Sequence, residues 1–94
     1  MALPTILPRI ESDDRTSGYG GWIVTVFNND HNTFDEVMMI LLDATGCDAD
    51  EAYLETWEID NLGKSVVHCG KAAECQAVAG VISTIGIRVE VVEE

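Results

Sequence analysis

Two groups of oxygen-bearing side chains stand out in this chain. The first is the run Asn28-Asn29-Asp30-His31-Asn32; the second is six acids between Asp48 and Asp60. No Lys or Arg falls between Thr16 and Gly63, where ten acids do. Carbonyls and carboxylates at this density offer acceptors and negative potential to a cation, either a basic patch on a partner or a single ammonium group. Helix stability does not ask for them. Asp48, Asp50 and Glu51 suit the positive N-terminal end of a helix, but Glu55, Glu58 and Asp60 crowd towards its negative end. Glu51 with Glu55 and Glu55 with Glu58 are like-charge neighbours, each costing about 0.2–0.5 kcal/mol. A solvated face that keeps the protein in solution is the plainer account of the same residues.

Other chemistry finds little support. Cys47, Cys69 and Cys75 are odd in number and form no C-x-x-C pair, which points to reduced thiols rather than a disulfide framework. His68, Cys69 and Cys75 match no common zinc spacing, so no metal and no cofactor is expected. No Ser/His/Asp or Cys/His arrangement, phosphate-binding glycine loop or paired catalytic carboxylate is visible, so the chain is not expected to be an enzyme. A net charge of −12 repels phosphate backbones and anionic lipid, arguing against nucleic acid and membrane surfaces as partners. The longest apolar run, Val37 to Leu42, is far below the roughly 20 residues of a bilayer span. With no visible secretory signal, a cytoplasmic monomer is the expectation.

The elements that must position these residues follow from periodicity. At 94 residues and 47% hydrophobic, the chain suits one small folded domain. Residues 1–21, broken by Pro4 and Pro8 and ending Gly-rich, read as a flexible extension, and 22–94 as the domain. Trp22 to Phe27 is β-branched and aromatic, a strand that stops at the Asn-rich turn. Thr33 with Glu36 makes a capping box, and Phe34, Val37, Met38 and Leu41 recur at helical spacing until Gly46. Asp48 caps a second helix whose buried stripe is expected to be Ala52, Tyr53, Thr56, Trp57 and Ile59. Asn61 to Lys64 reads as a turn, Ser65 to Cys69 as a strand, Ala72 to Thr84 as a third helix and Ile87 to Val92 as a last strand. The order β-α-α-β-α-β predicts an α+β sandwich, a three-stranded antiparallel sheet packed against three helices.

Strand Trp22 to Phe27 running into Asn28-Asn29-Asp30-His31-Asn32-Thr33-Phe34-Asp35-Glu36-Val37 resembles the ClpS family of Clp protease adaptors. The likeness extends through both acidic-start helices and Gly63-Lys64, over roughly Trp22 to Glu94. Glu74 to Val92 also resembles the C-terminal domain of the ribosomal stalk protein, which shares this architecture. The ClpS resemblance implies an adaptor that binds N-terminal degrons and delivers them to the N-terminal domain of a AAA+ Clp unfoldase. It implies that Asn28, Asn29, Asp30 and Asp60 receive the substrate's α-amine, and that Phe34, Val37, Thr56 and Ile59 form the pocket for its first side chain. The family's amine-binding His falls on Asp60, the second residue of its Asn-Asp-Asp run on Asn29 and its pocket-gating Met on Phe34. Its docking Lys on the third helix has no counterpart near Gln76 and Val78. Each residue has a simpler role open to it: the Asn-rich run as a strand-ending turn, Phe34 and Val37 as core. A divergent interaction module of the same fold, whose acidic second helix binds a basic partner, is the alternative function.

Overall fold

The protein, described over residues 21–94 by a computed structural model, runs β1 (Trp22–Phe27), α1 (Phe34–Thr45), α2 (Ala49–Leu62), β2 (Lys64–Gly70), α3 (Ala72–Ser83) and β3 (Arg88–Glu93). Apart from Gly21, the expected N-terminal extension lies outside the described residues. Local chemistry sets the helix ends. The Thr33 hydroxyl accepts the Glu36 N–H at 3.1 Å, and the Glu36 carboxylate accepts the Thr33 N–H at 2.9 Å, completing the capping box of α1. Gly46, at φ 70°, closes α1 by donating to the Leu42 carbonyl. Asp48 accepts the Glu51 N–H at 2.8 Å to open α2, and Gly63, at φ 95°, ends it.

The sheet order is β2-β1-β3, with both pairings antiparallel. Val24 faces His68 and Thr25 faces Val66, which leaves Val67 as the extra residue of a bulge. One side of the sheet meets the helices. Val24 and Val26 of the central strand are fully buried there, against Leu41 of α1, Ile59 of α2 and Cys75 and Ile82 of α3. On the other side Phe27 lies between its two cross-strand partners, with the Arg88 guanidinium 4.4 Å and the Lys64 ammonium 5.8 Å from its ring centre. Two of the chain's five bases are thereby held on the sheet rather than on α1 or α2. No helix among the described residues is long and apolar enough to cross a membrane.

The fold is the expected α+β sandwich, with two local corrections. Tyr53 and Trp57 do not belong to the buried stripe of α2: they are 51% and 43% exposed, and Ala52, Thr56 and Ile59 alone are buried. Asn61 and Leu62 are not a turn but the last residues of α2, which runs until Gly63 takes the left-handed conformation. The strands and α3 match their expected positions to within a residue at each end.

Candidate functional site

The β1–α1 loop is built by its own side chains. Asn29 Oδ1 accepts the backbone N–H groups of His31 at 3.1 Å and Asn32 at 3.0 Å, and its Nδ2 donates to Asn32 Oδ1 at 2.8 Å. This turn of an Asn side chain onto the backbone two and three residues ahead fixes the loop's shape. Asn32 Nδ2 then reaches the Ile85 carbonyl at 3.0 Å, joining the loop to the turn before β3. Of the residues implied in amine binding, Asn29 thus has its amide committed within the loop. Asn28 and Asp30 are exposed, and their side chains make no hydrogen bond among the described residues.

A single backbone contact brings this loop to α2. The Asn28 N–H donates to the Gly63 carbonyl at 2.9 Å, so the loop begins against the C-terminal turn that carries Asp60. That turn holds no basic residue, and Asp60 is exposed without an ion pair among the described residues. The negative end of the helix dipole and the Asp60 carboxylate therefore act in the same sense.

The implied pocket residues divide in two. Val37, Thr56 and Ile59 are 5%, 1% and 1% exposed, and the Thr56 hydroxyl donates to the Ala52 carbonyl at 2.7 Å. They are filled core in this state rather than the walls of an open hollow. Phe34 is half-buried and its ring packs on Tyr53, centroids 5.3 Å apart and planes tilted by 55°. The Phe34–Tyr53 contact was not expected from the sequence, because no spacing rule links residues 34 and 53 across two helices.

Glu55, expected on a solvated or partner-facing acidic surface, is instead drawn partly inside. It is half-buried on α2, its Oε1 accepts no hydrogen bond among the described residues, and burial, then the Glu51 charge and hydrogen bond, then Glu58, push its carboxyl up to about 7. Glu58 is itself held by the Ser65 hydroxyl at 2.6 Å. Because the native pKa of Glu55 lies above its unfolded value, the folded state binds the extra proton. The corresponding stability is complete below about 4.5 and is lost as pH rises through about 7. Replacing Glu55 with Gln is therefore expected to leave stability at pH 4 unchanged. At pH 8 it should raise it by on the order of 1 kcal/mol, a figure discounted for screening at a half-exposed site. Urea titrations of both proteins at the two pH values measure the difference.

Burial, reinforced by Glu74, raises the Cys75 thiol, which lies 3.4 Å from the Trp22 carbonyl. His68 Nε2 is 3.3 Å from the Glu74 carboxylate, an ion pair when the ring is protonated, though without hydrogen-bond geometry. Among the described residues no three His, Cys, Asp or Glu side chains are grouped to hold a metal ion.

Three comparisons place the chain. Its fold superposes on the solved structure of Agrobacterium tumefaciens ClpS2 bound to L-phenylalaninamide with a TM-score of 0.74, at 15% identity, covering 81% of this chain and 99% of that one. Among curated proteins, human and mouse E3 ubiquitin-protein ligase UBR1 are each 39% identical over 51 residues, or 54% of this chain. The matched segment spans only 3% of those ligases. The family described as ATP-dependent Clp protease adaptor protein ClpS matches residues 20–86, the stretch from just before β1 to the turn before β3, and the chain belongs to that family.

Proposed function

We propose that this domain captures the free α-amine of a protein N-terminus and delivers that protein to a AAA+ Clp unfoldase. The observation that carries this reading is the Asn28–Gly63 hydrogen bond, which sets an exposed, oxygen-rich loop against the C-terminal end of α2, whose last turn holds no base. An ammonium leaving water needs acceptors for its three donors. The Asn28 amide oxygen and the Asp30 and Asp60 carboxylates would supply them, while Asn29 keeps the loop in shape. The substrate's first side chain would displace Phe34 from Tyr53 and reach towards Val37, Thr56 and Ile59, so the pocket opens on binding. L-phenylalaninamide, which the related ClpS2 structure holds, has this chemistry: a free amine beside an aromatic side chain.

A peptide beginning with Phe should therefore bind the full chain and shift the amides of Asn28 to Val37 and of Ile59 and Asp60. Its N-acetylated twin, which lacks the charge and two donors, should bind at least about tenfold more weakly in calorimetry, a difference of ~1.4 kcal/mol. Equal affinities would rule out amine capture. A second reading, a module whose α2 binds a basic partner, is favoured by the exposed Tyr53, Leu54 and Trp57 on the acidic helix. It predicts binding insensitive to acetylation but sensitive to salt.

A further inference from the structure

A second acidic feature lies not on α2 but along α1, on the far side of the loop. A groove of about 380 Å³ lies between the outer face of α1 and the turn before β3. Its apolar lining comes from Met39, Ile40 and Ile85, and its rim from Asp35, Glu36 and Asp43. Met39 is 58% exposed, although it sits in the middle of a helix whose other long apolar side chains are at least partly buried.

The groove's two walls are tied together. Asn32 Nδ2 donates to the Ile85 carbonyl at 3.0 Å on one wall and lies 3.4 Å from Glu36 Oε1 on the other. The backbone N–H of Thr33, then the Asn32 side chain, hold the Glu36 carboxyl below its ordinary pKa. None of the rim acids pairs with a base among the described residues, where Lys64 and Arg88 are held over Phe27.

From this juxtaposition of a shallow apolar groove with three carboxylates that pair with no base among the described residues, we infer that the α1 face docks a basic segment of a partner protein, one large aliphatic side chain seated between Met39, Ile40 and Ile85 and flanking Lys or Arg residues meeting Asp35, Glu36 and Asp43. The volume suits an anchor side chain, at the lower end of the roughly 300–1,000 Å³ typical of binding pockets. The rim matches a cationic flank and rejects an acidic one. This surface is separate from the amine site and does not depend on it, since the occupant needs no free N-terminus.

The test uses the full chain and a probe peptide blocked at both ends, acetylated and amidated, with a central Leu between paired lysines. Binding should shift the signals of Met39, Ile40 and Ile85 and weaken about tenfold or more between 50 and 500 mM salt. Met39→Lys should abolish it without lowering the melting temperature, because the side chain is exposed. Asp43→Asn should weaken it severalfold, and serves if Met39→Lys fails to fold. A version of the probe with Glu for Lys should not bind. Shifts spread over the α2 acids instead of the groove, or unchanged affinity in the folded variants, would overturn the inference.

Discussion

A Leu41→Ala domain is expected to be about 2–5 kcal/mol less stable than the parent. Leu41 is 0% exposed in the middle of α1, within the cluster that joins all three helices to the sheet. Truncation removes its apolar burial and leaves a cavity that neighbours on rigid elements cannot fill. A domain of this length is stable by only on the order of 5–10 kcal/mol, so the loss is a large share of the whole. Met39→Ala provides the comparison on the same helix: two residues away but exposed, it should change stability by no more than about 0.5 kcal/mol. Urea midpoints read both, with equal slopes confirming that only stability has changed. Near-equal midpoints would mean that α1 packs differently. The functional consequence is direct, because Val37 and Phe34 lie one and two turns before Leu41 on the helix.

The architecture was legible because its signals are local. A capping box at Thr33 and Glu36, a left-handed glycine at 46 and a β-branched run at 22–27 each determine their own neighbourhood, and the structure forms all three. The stripe of α2 was not, and the reason lies in helix geometry. Successive residues turn by about 100°, so Ala52, Thr56 and Ile59 fall within roughly 60° of one another. Tyr53 and Trp57 point about 100° and 140° away from Ala52, whereas Glu55 is only about 60° away. Residue type suggested that the aromatics were inside and the acid outside; the angles put the acid nearer the core, and its raised pKa follows. The end of α2 was misread in a similar way, since Asn61 looks like a turn residue but the residue able to adopt φ 95° is Gly63. In the loop, sequence supplied the oxygens but not their directions. Asn28 and Asn29 are chemically identical, and which of them folds back onto the backbone depends on the loop's path. Contacts such as Phe34 with Tyr53, or Asn32 with Ile85, exist only once separate elements have packed.

Asp60→Lys is expected to separate binding from stability by moving them in opposite directions. Asp60 lies in the last turn of α2, where a negative side chain faces the negative end of the helix dipole and follows Glu51, Glu55 and Glu58 on a helix without a base in that turn. Lysine there should be neutral or favourable for the isolated domain, by about 0.3–1 kcal/mol, as the dipole is complemented and the crowding of acids relieved. For a peptide amine the same change replaces an acceptor with a like charge beside Asn28. A Phe-initiated peptide should then lose at least about tenfold in affinity, or more than ~1.4 kcal/mol. Asp60→Asn keeps an acceptor oxygen while removing the charge, so its loss should fall between parent and Lys. Calorimetric titrations give the affinities and urea midpoints the stabilities of the three proteins. If Lys at this position leaves binding intact, Asp60 is outside the amine's reach and Asn28 and Asp30 would have to suffice. If binding and stability fall together, the effect is damage to α2, and the carboxylate has no specific part in recognition.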